Sequence, residues 1–453
     1  MALENDLGRD PIRSLVLRIA LPSMLAQFVS VLYSIVDRIY IGNIPEIGDI
    51  ALAGVGVCGP VVTMVGSVAS LICLGGSPLI GMSLGQGNEE RAKRILSNCL
   101  LMLLTAAAVL TAVILPLRRP MLYLFGASDV TYPYADAYFT VYISGTVFAL
   151  LSTGLSQLIL AQGFAKVSMR LVLLGAVLNI VLDPIFMFAL GMGVPGAALA
   201  TVLSQMGSAA YGLFFLLGKR TRLRLSFGGY RLSLMGHILA IGFSPFLIIA
   251  VDNIMIIAMN AVLQRYGGPE QGDMLVTVST IVQSFMLVVT MPLGGISGGT
   301  QSILSFNFGA GNRERVLKAQ REIVKLCVAY TALLFLLARV AGPLFVALFS
   351  GDGEVADLSL WAIRVCTAAI IPLGVQYEIV DGFTAMGQVR IAFSLSFFRK
   401  LVYFLALFII PVFWEARYAF WAEAISDIVA PAVSVAVYFL FINKVLDRGP
   451  RDL

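Results

Sequence analysis

Apolar residues in this chain come in long unbroken blocks, not in the alternation of a strand or the single stripe of a surface helix. Segments such as Ala51–Ile80, Asn98–Leu117 and Leu171–Leu190 are long enough to cross a bilayer core, which takes roughly 20 residues. Twelve spans are predicted, near 14–42, 51–82, 95–117, 134–160, 169–190, 195–217, 237–264, 274–304, 322–348, 358–385, 391–413 and 418–444. Turn residues separate them: Gly42-Asn43, Gly85-Gln86-Gly87-Asn88, Gly191-Met192-Gly193, Gly267-Gly268-Pro269, Gly309-Ala310-Gly311-Asn312 and Gly351-Asp352-Gly353. The pattern predicts an all-α membrane protein of twelve transmembrane helices. Pro22, Pro184 and Pro245 lie inside or beside spans. Each removes a backbone donor there and is a candidate hinge.

Composition agrees. Hydrophobic residues are 59% and charged residues 13%, with a mean hydropathy of +0.91. A soluble domain carries roughly 25% charged residues, so lipid must be the main solvent here. The net charge of +5 does not point to nucleic acid, because the basic residues sit in short loops between spans. One set of loops holds Arg91, Lys93, Arg94, Lys166, Arg170, Lys219, Arg220, Arg222, Arg224 and Arg231. The same side has Arg313, Arg315, Lys318, Arg321, Arg390, Arg399 and Lys400, with Arg9, Arg13, Lys444, Arg448 and Arg451 at the termini. The other side has only Arg118, Arg119, Arg265 and Arg417. That bias predicts both termini in the cytoplasm of a bacterial inner membrane. Met1–Pro11 is polar and acidic, unlike a cleavable signal peptide. The five cysteines (Cys58, Cys73, Cys99, Cys327, Cys366) are scattered in apolar segments and read as small core residues. His237 alone makes no metal site. No catalytic constellation is visible, so neither an enzyme nor a resident cofactor is expected.

The chain repeats. Gly85-Gln86-Gly87-Asn88-Glu89-Glu90-Arg91 recurs half a chain later as Gly309-Ala310-Gly311-Asn312-Arg313-Glu314-Arg315. Leu124-Phe125 matches Leu348-Phe349, and Ala161-Gln162-Gly163 matches Ala385-Met386-Gly387, at the same offset. Each half has six spans, so the halves enter the membrane in the same sense, as a parallel repeat around a central cavity that opens alternately to either side. The expected organisation is a tail at 1–13, an N-lobe at 14–217, a basic linker at 218–236, a C-lobe at 237–444 and a tail at 445–453. No feature calls for more than a monomer.

A charge deep in a bilayer costs roughly 2.5–3.5 kcal/mol even on a mild scale, so an intramembrane acid is a functional candidate by default. Asp37 in span 1 and Asp183 in span 5 both sit roughly 8–11 Å below the outer ends of their spans, at about 1.5 Å per residue. Asn179, one turn before Asp183, Tyr138 in span 4 and Thr201 in span 6 reach a similar depth. Two carboxylates in one dry lobe cannot both ionise cheaply. A shared proton would relieve them, as would Na⁺ held by Asp37, Asn179, Asp183 and Thr201 oxygens. The alternative is that each aspartate only bonds to backbone or to a nearby serine. Met24, Phe28, Met64, Gln157, Phe285, Met286 and Met291 are candidate cavity linings, against the alternative of lipid-facing packing, and Asn260 and Glu378 are polar candidates for the same cavity. In the second half Asn260 stands where Asp37 stands in the first, which implies unequal lobes. Glu378 is a candidate cation contact, and Asp381 is expected to meet loop arginines near the cytoplasmic end. The Gly-x-Gly-Asn loops lack a following G-K-[ST] and read as helix starts with acids complementing the dipole.

These residues resemble the multidrug and toxic compound extrusion family over essentially the whole chain. The bacterial DNA-damage-inducible and staphylococcal exporter branches are most similar. The resemblance rests on Leu21-Pro22, Ile35-Val36-Asp37-Arg38, the paired glycine loops, Asn179-x-x-x-Asp183-Pro184 and Gly196-Ala197-Ala198-x-Ala200-Thr201. It implies two six-helix bundles and export of cationic amphipathic small molecules driven by H⁺ or Na⁺ entry. It also implies a cation site on Asp37, Tyr138, Asn179, Asp183 and Thr201. In some branches acids on spans 7 and 8 add a C-lobe site; here Asp252 is present but span 8 has no acid in its membrane part. A flippase for lipid-linked precursors or oligosaccharides is the alternative. It would want a cationic cavity, whereas the intramembrane charges here are mainly acidic.

Overall fold

The computed structural model describes residues 5–45, 47–125, 127–349 and 353–449. The expected turn at Gly351-Asp352, the first four residues of the tail and Arg451 lie outside the described residues. Among those described, every regular element is helical. Ten helices are long and apolar enough to cross a membrane, and two bent pairs bring the spans to twelve. We number them α1 (Ile12–Gly42), α2 (Gly48–Gly85), α3 (Glu89–Leu124), α4 (Tyr132–Ser144 with Thr146–Ala161), α5 (Ala165–Ala189) and α6 (Val194–Leu217). The second half comprises α7 (Leu232–Gly268), α8 (Gln271–Gly309), α9 (Arg313–Val340), α10 (Gly353–Cys366 with Ile370–Ala385), α11 (Val389–Phe413) and α12 (Ala416–Arg448).

The helices outrun the apolar blocks because their first turns are polar and capped. Asn88 opens α3 by accepting from the Arg91 amide at 2.9 Å, and Asn312 opens α9 by accepting from the Arg315 amide at 3.1 Å. Each asparagine satisfies one of the unpaired amides of a helix start. Gly87 and Gly311 precede the two caps, both with positive φ. Glycine adopts that conformation without steric cost. Glu89, Glu90 and Glu314 stand in the first turns, where they complement the positive end of the dipole. The asparagines, not the acids, are therefore the side-chain caps.

Spans 4 and 10, read from the sequence as single runs, are both bent. The halves of α4 meet at 57° across Gly145, and those of α10 meet at 49° between Cys366 and Ile370. The breaks lie at equivalent places in the two repeats. Span 9 ends early at Val340, and a short helix, Gly342–Ala347, replaces its expected end. Pro343 has no amide to continue the ladder.

The chain forms two compact units. The first comprises Leu25–Phe246 with the N-terminal residues through Leu7; the second comprises Gly8–Met24 with the chain from Leu247 onward. This differs from lobes at 14–217 and 237–444, because α1 and α7 each contribute to both units. The changeovers fall just after Pro22 and Pro245, where the helix ladder lacks a donor.

Glycine makes these assignments sterically feasible. In the first unit a Cβ on Gly75 of α2 would meet the Ile238 carbonyl oxygen of α7 at 2.0 Å. A Cβ on Gly242 would meet the Leu71 oxygen at 1.7 Å. In the second unit a Cβ on Gly299 of α8 would meet Ser23 of α1 at 2.5 Å. Gly75 and Gly299 are repeat partners, so each half uses the same missing side chain to seat the same foreign half-helix.

The 218–236 segment is tied to the first unit by hydrogen bonds. Gln162 Oε1 accepts from Thr221 Oγ1 and the Leu223 amide, both at 3.0 Å, and Asn98 Oδ1 accepts from the Arg231 amide at 3.1 Å. Its last residues already belong to α7. Asn5 donates to the Gly163 carbonyl at 2.9 Å, so the N-terminal tail is tied to the first unit as well.

Candidate ion-coupling site

Inside the first unit, Asp37 (α1), Tyr138 (α4), Asn179 and Asp183 (α5) and Thr201 (α6) converge. All five come from the sequence-derived set. Asp183 has no exposed surface, Asn179 and Tyr138 are buried, and Asp37 is half-buried. Asn179 Nδ2 donates to Asp183 Oδ1 at 3.1 Å and reaches Thr201 Oγ1 at 3.4 Å. Thr201 in turn donates to the Ala197 carbonyl at 3.0 Å, which leaves its oxygen free to accept. The Asp37 and Asp183 carboxyl groups lie within hydrogen-bonding reach of each other.

What the group lacks decides its chemistry. Asp37 Oδ1, Asp183 Oδ2 and Asn179 Oδ1 are buried and receive no hydrogen bond from the protein. Buried acceptors are normally satisfied, and two adjacent carboxylates repel. Oxygen acceptors grouped in this way suit a proton or a small hard cation.

The local backbone explains how the set is assembled. Pro184 follows Asp183, and the chain then widens into a π-helical turn, Ile185–Ala189, with the Leu190 amide reaching the Ile185 carbonyl at 2.9 Å. Such turns recur at functional sites. Gly196 presses on this turn: a Cβ there would meet the Phe186 carbonyl atoms at 2.9 Å. That approach lets α6 start beside the wide turn and brings Thr201, a turn and a half on, level with Asn179.

Three further side chains belong to the site. Tyr33 and Tyr138 lie close to Asp37, Tyr142 stacks on Tyr138 with centroids 6.1 Å apart, and Gln205 lies beside Tyr142. Tyr33, Tyr142 and Gln205 are each one helical turn from a residue already identified: four before Asp37, four after Tyr138, four after Thr201. The i±4 rule is the signal that finds them.

The cavity candidates divide. Phe28, Met64 and Met291 carry exposed side chains and Met24 is half-buried. Gln157 keeps a buried Oε1 without a donor. Phe285 is buried against Phe345, and the partly buried Met286 packs on the same apolar core. Asn260 accepts from Ser279 at 3.2 Å, so its amide is engaged within the second unit. Glu378 is 1% exposed, sealed inside that unit, not presented on an open face. Asp381 lies beside Ser297 and Gln301 of α8, one turn apart, in place of the expected loop arginines. The second unit has no copy of the ion site among the described residues. The repeat partners of Asn179 and Asp183 are Tyr403 and Leu407, both in its apolar core.

Comparison with known proteins agrees with the two-repeat fold. The MatE family model matches residues 22–185 and again 247–410, one match per repeat. A multidrug export protein, MepA, of Staphylococcus haemolyticus is 24% identical over 432 residues, covering 94% of this chain and 93% of the relative. An FAD transporter of Shewanella oneidensis is 28% identical over 376 residues, covering 81% and 80%. Among solved structures, the outward-facing conformation of a multidrug resistance MATE family transporter of the MOP superfamily superposes with a TM-score of 0.90 at 23% identity, covering 97% and 98%. A MOP superfamily transporter from Pyrococcus furiosus superposes equally, with a TM-score of 0.90 at 22% identity, covering 98% and 99%. These superpositions establish the fold.

Proposed function

We propose, for a chain that belongs to the MatE family, that it exports cationic amphipathic small molecules by alternating access, in exchange for H⁺ or Na⁺ bound at Asp37, Asn179, Asp183 and Thr201, with Tyr138 beside Asp37. The observation that carries this reading is the Asp37–Asp183 pair, in which each carboxyl keeps a buried oxygen without a protein donor.

A bound proton or Na⁺ cancels the repulsion and allows the site to close. Losing the ion leaves two facing charges that the closed site tolerates poorly. An ion that favours one arrangement of the site over the other can bias a two-state equilibrium, and only such a difference can. A cationic cargo competes for the same negative charge, which is the basis of exchange. The Lys/Arg bias of the loops supports cytoplasmic termini in a bacterial inner membrane. In that orientation the C-terminal ends of α1 and α5, and the site near them, face outward, where the ion enters.

The test is transport in proteoliposomes with tetraphenylphosphonium as the cationic probe and an imposed H⁺ or Na⁺ gradient. Gradient-driven movement that is lost in Asp37→Asn supports the reading. The match to an FAD transporter favours one competitor, export of a flavin dinucleotide, so FAD is the second probe. Movement of FAD without tetraphenylphosphonium overturns the cationic cargo. Flipping of a lipid-linked precursor with neither probe moving overturns both in favour of a flippase.

A further inference from the structure

A second group of charges lies within the other unit. Arg399 of α11 holds Asp427 of α12 at 3.2 Å and Glu423 at 3.6 Å. Lys400, its neighbour, is bonded to Asp252 of α7. Arg399 is ten residues into a helix of 25 residues, so it and Lys400 lie inside the span and not in the loop where the charge count placed them. That depth is about 15 Å along the helix axis and near the middle of a bilayer core about 30 Å thick. Charges at this depth are strongly disfavoured unless they pair or act.

They pair incompletely. Among the described residues, Asp252, Glu423 and Asp427 oppose only Arg399 and Lys400, so the fully ionised cluster carries one excess negative charge. Glu423 and Asp427 are one turn apart on the same face of α12 and compete for one guanidinium. Asp427 has no exposed surface, and its Oδ2 has no donor. Tyr377 and Tyr403 flank the acids, and Cys366 lies near Glu423 and Asp427. The side chains of Glu423 and Asp252 remain 21% and 46% exposed, so the cluster has an accessible edge.

We propose that this cluster is a second proton-binding site, in which Asp427 holds one exchangeable proton that arrives by way of Glu423. With Asp427 neutral, two matched pairs remain, Arg399 with Glu423 and Lys400 with Asp252, and the excess charge is gone. Release of the proton returns Asp427 to the anion and makes Glu423 and Asp427 share Arg399 again. A metal ion is a poor occupant, because the guanidinium and the ammonium already face these acids. Among the described residues no three acid, cysteine or histidine side chains converge as a metal site. An organic cation cannot reach the sealed Asp427 oxygen.

The test uses no cargo, so it stands or falls apart from the proposed transport. The three tryptophans, Trp361, Trp414 and Trp421, all belong to the second unit, and Trp421 is two residues from Glu423. Their fluorescence is followed in the full-length protein in lipid nanodiscs from about pH 5 to 9, a window that spans strongly perturbed carboxyl groups. One reversible transition is expected in the wild type and in Asp37→Asn, and none in Asp427→Asn. A transition that persists in Asp427→Asn, or none in the wild type, overturns the proposal. If Asp427→Asn does not fold, infrared difference spectra of carbon-13-aspartate protein decide, in a background of Asp37→Asn, Asp183→Asn and Asp381→Asn. An isotope-shifted carboxylic acid band that titrates supports the site, and its absence overturns it.

Discussion

Asp37 and Asp183 face each other within hydrogen-bonding reach, yet neither Asp37 Oδ1 nor Asp183 Oδ2 receives a hydrogen bond from the protein. A fold held only by its own contacts has no use for that arrangement. Replacing Asp183 by Asn should therefore abolish ion-driven transport while raising stability. Relief of an unsatisfied buried acceptor is worth about 1–3 kcal/mol. Thermal melting in nanodiscs reads the second effect and proteoliposome flux the first. A destabilised Asp183→Asn that still transports would refute the assignment of this pair.

The wide turn after Pro184 needs a hydrogen atom at Gly196. In Gly196→Ala the new methyl meets the Phe186 carbonyl, which is backbone and cannot rotate aside. The turn must shift, carrying Thr201 out of register with Asn179. We expect a loss of transport on the order of tenfold, with a stability cost of about 1–3 kcal/mol, the usual range for overpacking. Flux and melting temperature measured on one preparation separate the two effects.

Gly75 and Gly299 are repeat partners with different obstacles. Gly75→Ala collides with a carbonyl oxygen at 2.0 Å, whereas Gly299→Ala collides with the Ser23 side chain at 2.5 Å. Both variants should lower the melting temperature. Adding Ser23→Gly should restore Gly299→Ala, while no side-chain change restores Gly75→Ala. Rescue of neither, or equal tolerance of both, would show that the helices are less closely seated than these distances imply.

Asn88 and Asn312 cap α3 and α9 in the same way. Each Asn→Ala substitution should cost about 1 kcal/mol. Because the caps lie in different units, their costs should add within about 0.5 kcal/mol in the double variant. Melting curves of the two single variants and the double variant test this directly.

Much of this is legible in the residues. The spans show because hydrocarbon demands about 20 apolar residues in a row. The Asp37, Asn179 and Asp183 set shows because acids are rare where they cost so much. The helix starts at Glu89 and Arg313 escape a reading by hydropathy, since a capped helix continues past the lipid. The breaks at Gly145 and before Ile370 escape it because a straight and a bent helix of the same composition have the same hydropathy. The surroundings of Asn260 and Glu378 escape it for a related reason. A polar residue in a span signals importance, but whether it faces an opening or a neighbour such as Ser279 is decided by the rotation of its helix.

The division of α1 and α7 between the units has a consequence for biogenesis. Residues Gly8–Met24 leave the ribosome among the first, but the body they join is not complete until the chain beyond Leu247 has been made. The first unit likewise lacks its full complement until the opening turns of α7, through Phe246, have been synthesised. Neither half can finish folding from its own six spans, so a nascent chain stopped after Leu217 should remain an open substrate for membrane chaperones and quality-control proteases.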